Sequence, residues 1–139
     1  MILLDASGLF AAVNEVQPQH EAVRAALESD SGPFVLSPFV LAELDYLVAT
    51  RVGEGAELTF LDEVARGAYD LVPFDHDDVA EAREIVARYR DLGVGLADAS
   101  IVVLAARFGT KRVLTLDERH FRALRPLDGG HFELLPADA

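Results

Sequence analysis

The sequence predicts an α/β domain built around a mainly parallel sheet. Short aliphatic segments, typical of buried strands, alternate along the chain with longer segments whose apolar residues recur every three or four positions. This alternation is typical of parallel strands joined by helices. The 139 residues fit one domain, residues 1–139, which is long enough to bury a sizeable core.

Composition excludes several classes of protein. Hydrophobic residues make up 51% of the chain and charged residues 26%, as in ordinary globular proteins. The absence of cysteine excludes disulfides, thiolate nucleophiles and zinc-thiolate sites, so a bound metal would need oxygen or imidazole ligands. The sequence shows no apolar run of about 18 residues and no basic-then-apolar leader, so we expect a cytoplasmic protein without a membrane segment.

The formal net charge of -12 weighs against nucleic-acid binding, because most proteins that grip phosphates carry a basic surface. Acids gathered at helix N-termini or around a divalent ion would leave the rest of the surface less negative. Six basic residues lie close together in the C-terminal third. For most of them the sequence favours solvated side chains over phosphate contacts: Arg107, Lys111, Arg112, Arg119, Arg122 and Arg125.

Five short segments have the composition of strands. In chain order they read "MILL", "PFVLS", "YDLVPF", "RVLTL" and "HFELLP". Asp5 directly follows the first, and Asp117 follows the fourth in the same kind of position. Two carboxylates therefore stand at predicted strand ends.

Helical spacing of apolar residues predicts helices between these strands. One stripe joins Leu58, Leu61 and Val64, and it is bounded by glycines on either side. In "DDVAEAREIVARYR" we expect Asp75 to cap a helix whose outer face carries a Glu84 to Arg88 pair. Further stripes predict helices at Leu9, Phe10 and Val13 and at His20, Val23 and Leu27.

The helix predicted in "LSPFVLAELDYLVATR" carries an acid that needs an explanation. Ser37 caps this helix, Pro38 takes its first turn, and the apolar stripe runs through Val40, Leu44, Leu47 and Val48. Glu43 falls on or beside the stripe, whereas Asp45 points away and is expected to be solvated. A carboxylate on the packed side of a helix costs several kcal/mol unless it is paired or binds a metal, so Glu43 needs a partner.

The tripeptide Asp-Ala-Ser occurs twice, at Asp5 and at Asp98. The second copy opens the apolar segment "ASIVVLAARFG", which Gly109 closes, so Asp98 lies at the start of a helix. Each of Asp5, Asp98 and Asp117 could be explained alone by helix capping. Helix capping does not explain why all three occur together with Glu43. In an open α/β sheet, acids at strand ends converge where ligands bind.

Converged carboxylates repel one another, which raises their pKa values unless a divalent cation neutralises them. Mg²⁺ or Mn²⁺ suits a set of oxygen ligands and retains water that can attack a phosphodiester in line. The site chemistry therefore predicts hydrolysis of phosphodiesters.

Other polar groups are weaker candidates. The "DHDD" at residues 75–78 occupies a predicted first turn, where acids complement the helix dipole. The four histidines show no helical pair spacing for zinc, although His120 lies near Asp117. Ser7 and Ser100 lack the glycine frame of a hydrolase nucleophile.

The order "LLDAS", a mid-helix Glu in "SPFVLAEL", "LADAS" and "LTLDERHF" resembles the PIN-domain ribonucleases, most closely the VapC toxins of VapBC toxin–antitoxin systems. The likeness covers nearly the whole chain. It implies a PIN-like three-layer sandwich whose five-stranded sheet has the order 3-2-1-4-5, with Asp5 and Asp117 brought together at neighbouring strands.

The resemblance also implies a function for particular residues. In such proteins the acids matching Asp5, Glu43, Asp98 and Asp117 bind Mg²⁺, for which Mn²⁺ can substitute, and activate water to cut RNA. Ser7 and Thr115 match hydroxyls that orient these acids. The family further implies a homodimer and a VapB antitoxin as partners.

Two alternatives to an endoribonuclease toxin stay open at this point. A non-catalytic module could use the acids only to bind a basic partner, which the net charge favours slightly. A phosphate-transfer enzyme of the receiver or phosphatase type would need a lysine after a late strand. The only lysine, Lys111, comes before a predicted strand instead.

Overall fold

The computed structural model describes residues 1–139. It places a strand inside each of the five predicted segments: β1 (Ile2–Leu4), β2 (Phe34–Leu36), β3 (Asp70–Leu71), β4 (Arg112–Leu114) and β5 (Glu133–Leu135). A single turn of 3₁₀ helix spans Arg90–Leu92. Seven α-helices connect the strands: α1 (Ala6–Val13), α2 (His20–Glu28), α3 (Pro38–Arg51), α4 (Glu54–Ala65), α5 (His76–Arg88), α6 (Leu96–Phe108) and α7 (Glu118–Ala123).

The five strands form one parallel sheet in the order β3-β2-β1-β4-β5, which confirms the expected topology. β1 and β4 are neighbours, and Leu4 is in register with Leu114. The residues that follow them, Asp5 and Thr115, therefore leave the sheet side by side at its carboxyl edge. The chain moves from β1 towards one edge and later returns to the other side of β1, so the strand order reverses beside Asp5.

The core is densest around β1 and α6. Every residue of β1 is buried, and so is every residue of α6 from Ala99 to Ala105. A helix that is apolar on all sides must be covered on all sides. α6 meets this need by packing against α5, α3 and β1, which holds its first turn at the carboxyl edge of the sheet.

Gly8 allows α1 to begin directly against β4. A Cβ atom at this position would lie 2.5 Å from the carbonyl oxygen of Leu114. Backbone cannot move aside as a flexible side chain can, so only glycine permits this approach. The close contact keeps the start of α1 beside the residues that follow β4.

Two predicted helix caps are confirmed. The Ser37 side chain accepts a hydrogen bond of 3.2 Å from the Phe39 backbone N–H, with Pro38 in the first turn of α3. Asp75 and Asp78 form a reciprocal capping box at the start of α5, with bonds of 2.9 and 3.1 Å. Asp75 and Asp78 of "DHDD" thus cap the N-terminus of α5, as expected.

The predicted face of α4 is partly wrong, and the ion pair predicted on the outer face of α5 does not form. α4 presents Phe60 to the core, while Leu58 and Leu61 are 55% and 36% exposed. The large aromatic side chain outweighs the aliphatic pattern, so the helix is rotated relative to the prediction. On α5, Glu84 contacts its neighbour Arg83 at 3.0 Å instead of Arg88. Exposed ion pairs contribute little to stability, so the spacing did not select one partner.

No helix of the protein combines the length and the apolar character needed to cross a membrane.

Candidate metal centre

The four predicted acids line one cavity of about 270 Å³. The cavity lies at the carboxyl edge of the sheet, between the ends of β1 and β4 and the helices α3 and α6. Its lining comprises Asp5, Ser7, Glu43, Gly95, Leu96, Ala97, Asp98, Asp117 and His120. Another cavity, of about 350 Å³ between α1, α3 and α4, is larger but holds only Arg24 and Glu63 as charged groups. The acid-lined cavity is therefore the candidate site.

Asp5 is held by two hydroxyl groups. Ser7 Oγ and Thr115 Oγ1 each donate a hydrogen bond of 2.7 Å to Asp5 Oδ2. The backbone N–H of Leu116 donates to Ser7 (3.0 Å) and that of Asp117 donates to Thr115 (2.9 Å). Because each hydroxyl accepts a backbone N–H, its single hydrogen is directed to the carboxylate. Asp5 occupies the N-cap position of α1, but its side chain makes no capping bond.

Asp98 lies in the first turn of α6, and Gly95 occupies the cap position. Its Oδ2 atom is 2.8 Å from Nδ1 of His120, which lies on α7. The side chain of Asp98 is therefore turned across the cavity towards another element, and it does not cap its own helix.

Asp117 contacts His120 through both of its carboxylate oxygens. Its Oδ1 atom accepts a hydrogen bond of 3.1 Å from the His120 backbone N–H, so Asp117 caps α7. Its Oδ2 atom lies 3.0 Å from His120 Nδ1. Capping and a place in the cavity are thus compatible for this residue.

Glu43 is exposed, so the prediction that it lies on the packed side of α3 is wrong. It stands at the edge of the apolar stripe and lines the cavity with Asp5, as the site hypothesis requires. The prediction that Asp45 is solvated is also wrong. Asp45 is half-buried with an unpartnered Oδ1 atom, and its carboxyl group faces Glu57 of α4, whose pKa is raised by a hydrogen bond to Asp45. α4 packs against this side of α3, which periodicity within α3 cannot reveal.

The acids repel one another, and their pKa values show it. Burial, with the charges of Asp5 and Asp117, raises the pKa of Asp98 to about 6, against the opposing effect of His120. Burial also raises the pKa of Asp5, against the opposing effect of its hydroxyl hydrogen bonds. Partial burial, Asp5 and Asp117 raise the pKa of Glu43. Groups of one charge gathered at reduced solvation are suited to a cation.

A buried hydroxyl pair joins the two helices that carry Glu43 and Asp98. Ser37 Oγ, at the start of α3, lies 2.7 Å from Ser100 Oγ in α6. Ser100 also bonds to the Ala97 carbonyl at 2.6 Å. This pair joins the start of α3 to the first turns of α6.

His120 is the cavity residue whose role the sequence did not predict. The available signal was its spacing of three residues from Asp117, at the start of a short helix, which places both side chains on one face. The interpretation of the C-terminal basic residues as solvated groups holds for four of the six, which are exposed: Arg107, Arg119, Arg122 and Arg125.

Residues 2–125 match the sequence model of the PIN domain. The chain is also 47% identical to Ribonuclease VapC26 of Mycobacterium tuberculosis (strain ATCC 25618 / H37Rv) over 135 residues, which cover 97% of this chain and all of the relative. This chain belongs to the PIN-domain family, among the VapC ribonucleases.

Solved structures of PIN-like proteins have the same fold. The Mycobacterium tuberculosis VapC20 toxin, described as cleaving the sarcin-ricin loop, superposes with a TM-score of 0.78 at 20% identity, covering 84% of this chain and 90% of that one. FitAcB from Neisseria gonorrhoeae superposes with a TM-score of 0.67 at 27% identity over 96% and 97% of the two chains. FitAB bound to a DNA fragment gives a TM-score of 0.55 at 25% identity, covering 78% of this chain and 80% of that one.

Proposed function

We propose that this PIN-domain protein is a metal-dependent endoribonuclease that acts as the toxin of a toxin–antitoxin pair. The observation that carries the proposal is the convergence of four carboxylates in one cavity at the reversal of strand order. Membership of the VapC ribonucleases supports RNA as the substrate. Growth inhibition would follow from RNA cleavage, since a cell that loses essential RNA cannot sustain translation.

The residues of the cavity fit a hard divalent cation. Carboxylate oxygens are the ligands that Mg²⁺ and Mn²⁺ prefer, and the chain offers no thiolate that would favour a softer metal. The raised pKa values of Asp5, Glu43 and Asp98 indicate that the acids gain most from a positive charge in their midst. We assign the metal-binding and catalytic roles to Asp5, Glu43, Asp98 and Asp117, and Mg²⁺ as the cation, for which Mn²⁺ can substitute.

A divalent cation at these acids supplies a Lewis acid for a phosphate oxygen and makes water a better nucleophile near neutral pH. The protein itself orients the groups around it. Ser7 and Thr115 hold Asp5 through one of its oxygens, and the capping bond holds Asp117. Asp98 and Glu43 approach from the two helices that the Ser37–Ser100 pair joins. Such pre-positioning removes the need to reorganise the charged groups when the phosphodiester arrives.

The test is incubation of the purified, antitoxin-free protein with total cellular RNA and Mg²⁺ or Mn²⁺, followed by mapping of the cut ends. We expect discrete cuts that vanish with a chelator and in an Asp5→Asn variant. Loss of metal-assisted chemistry worth several kcal/mol should lower the rate by about a thousandfold or more. Cuts that persist in Asp5→Asn at the wild-type rate would refute the assignment of this site.

The charge of -12 supports one other candidate, a non-catalytic module that binds a basic partner through the same acids. An Asp98→Asn variant separates the two. For the nuclease, this change abolishes metal-dependent cleavage. For the binding module, wild type and variant both leave RNA intact, and the variant retains the basic partner nearly as well as the wild type does.

We further propose a VapB-type antitoxin and a second copy of the chain as partners. Apolar residues on and just after α3 and on α4 stay exposed and offer surface that a partner would cover: Tyr46, Val52, Leu58 and Leu61. Size-exclusion chromatography with light scattering should give twice the mass of the chain, which is 15.1 kDa. A Leu58→Asp change should lower that mass to a monomer or prevent assembly with the antitoxin. A variant that retains both assemblies would exclude this surface.

A further inference from the structure

His120 is positioned by α7 to face two of the acids. Its Nδ1 atom is 2.8 Å from Asp98 Oδ2 and 3.0 Å from Asp117 Oδ2. The side chain is only 19% exposed and lines the acid cavity. Because the His120 backbone N–H is bonded to Asp117 Oδ1, the imidazole and the Asp117 carboxylate are held together at the start of the helix.

The three side chains have the spacing of ligands around one ion. One ligand atom from each of Asp98, Asp117 and His120 lies within 4.8 Å of the other two. Octahedral Mg²⁺ or Mn²⁺ with ligand bonds of about 2.1 Å places adjacent ligand atoms about 3 Å apart. The separations of 2.8 and 3.0 Å from the imidazole nitrogen match such edges.

We propose that His120 is a nitrogen ligand of the metal centre and that it biases the site towards Mn²⁺ over Mg²⁺. This inference rests on the proposed function only in that both need a cation at the acids. A set of carboxylates alone suits Mg²⁺, whereas imidazole favours the later metals of the first transition row. A neutral nitrogen also completes the ligand set without adding a fifth negative charge to the four acids of the cavity.

The competing interpretation is that His120 only donates a hydrogen bond to the carboxylates of the metal-free protein and leaves when the cation enters. The two interpretations differ in one measurable contact, a bond between nitrogen and the metal. No other histidine lines the acid cavity, and a His76→Gln variant controls for Mn²⁺ at the separate cavity where His76 lies beside Asp75 and Asp77. His20 bonds the Ala11 carbonyl at 2.7 Å, and His76 and His131 are exposed and absent from the cavity lining.

Pulsed electron paramagnetic resonance of the full chain loaded with Mn²⁺ detects such a nitrogen directly. We expect ¹⁴N modulation of the Mn²⁺ echo in the wild type, its loss in His120→Gln, and its retention in the matched control His131→Gln. Absence of ¹⁴N modulation from the wild type, or its persistence in His120→Gln, would overturn the proposal. If His120→Gln does not fold, absence of ¹⁴N modulation from the wild type still overturns the proposal.

Metal titration gives a second readout. By calorimetry, His120→Gln should bind Mn²⁺ at least about tenfold more weakly, because changes at groups beside a metal cost about ten- to a hundredfold in affinity. Its affinity for Mg²⁺ should fall less, so the ratio of the two affinities drops. An unchanged ratio would show that His120 does not select the metal.

The failure of this proposal is distinguishable from the failure of the proposed function. RNA cleavage with Mn²⁺ but without a nitrogen signal would overturn the role of His120 and leave the nuclease assignment in place. A nitrogen signal from a protein that leaves all RNA intact would support the ligand role and refute the nuclease.

Discussion

The two Asp-Ala-Ser segments each deliver an aspartate to one cavity, yet the structure holds the two aspartates by different groups. In the first copy, Ser7 turns back and donates to Asp5 two residues before it. In the second copy, Ser100 turns away from Asp98 and bonds to Ala97 and Ser37. Asp98 is contacted instead by an imidazole from α7.

Backbone conformation explains the difference. Asp5 has extended dihedral angles (φ -99°, ψ 152°) just before α1, so its side chain can meet that of Ser7 in the first turn. Asp98 and Ser100 both lie within α6, where side chains two residues apart point to different faces. An identical tripeptide thus forms an internal hydrogen bond at a strand-to-helix junction and cannot form it inside a helix.

The two acids consequently differ in the groups that oppose the effect of burial on their pKa values. Two hydroxyl donors stabilise the charged form of Asp5, whereas Asp98 has one imidazole and the negative charges of Asp5 and Asp117 nearby. In each case burial is the largest cause that raises the pKa, and the net pKa of Asp98 is about 6. The two copies therefore offset burial with different donors, hydroxyl groups in the first and an imidazole in the second.

The largest expected effect concerns the charge of Asp98 in the metal-free protein. Its pKa is about 6 when folded, against an ordinary value of 3.8, so between these values the folded state binds more protons than the unfolded chain. Stability from this group is present below pH 3.8 and is lost as the pH rises through about 6. The full loss is about 3 kcal/mol, of which about 1 kcal/mol falls between about pH 5 and 7.5.

Urea unfolding with a chelator at several pH values in that range tests this prediction. Asp98→Asn should flatten the pH dependence. Asp138→Asn is the control, because Arg122 holds the pKa of Asp138 at about 2 and its contribution changes only in more acidic solution. If the free energy of unfolding changed equally with pH in the wild type and in Asp98→Asn, the charge of Asp98 would not destabilise the folded protein.

The next effect concerns the residue that follows each copy, which is Gly8 after the first and Ile101 after the second. Gly8→Ala would press a Cβ atom against the Leu114 carbonyl oxygen at 2.5 Å, and α1 would have to move. We expect a loss of about 1–3 kcal/mol in the free energy of unfolding, typical of overpacking. An Ala substitution at Gly55, where a Cβ meets open space, is the matched control. Equal stability of the two variants would contradict the close approach of α1 to β4.

Ser7→Ala tests whether the hydroxyl of the first copy orients Asp5 for a cation. We expect metal affinity to fall by about ten- to a hundredfold, as for other groups that orient metal ligands. Thr115→Val should produce a similar loss, since Thr115 donates to the same oxygen. Calorimetric titration with Mn²⁺ measures the affinity of both variants. Wild-type affinity in the two variants would show that these hydroxyl groups do not orient Asp5 for the metal.

The smallest effect is expected for Ser100→Ala, the equivalent change in the second copy. Removal of this buried hydroxyl should cost about 1–2 kcal/mol in stability, because Ser37 loses a hydrogen-bond partner. Metal affinity should stay near that of the wild type, because Ser100 does not contact Asp98. A loss of Mn²⁺ affinity as large as that of Ser7→Ala would show that the two serines have the same role.

The sequence alone determined the α/β class, the five strands and the identity of the four acids. Strands such as Ile2–Leu4 are recognisable because burial on both faces demands an unbroken aliphatic run. Acids at strand ends in an open α/β sheet are expected to converge. The strand order came from the resemblance, since local periodicity carries no information about which strands are neighbours. The sheet order and register agree with that expectation.

Tertiary structure alone decided which side chains meet. His120 reaches Asp98 across 22 positions of sequence, Asp45 faces α4 instead of solvent, and α4 turns Phe60 inward while Leu58 stays outside. Sequence periodicity assigns a residue to a face of its own helix, but the neighbour that covers that face depends on how the helices pack. Contacts between distant segments are therefore set by the packed fold, and in this protein they include the imidazole in the acidic cavity.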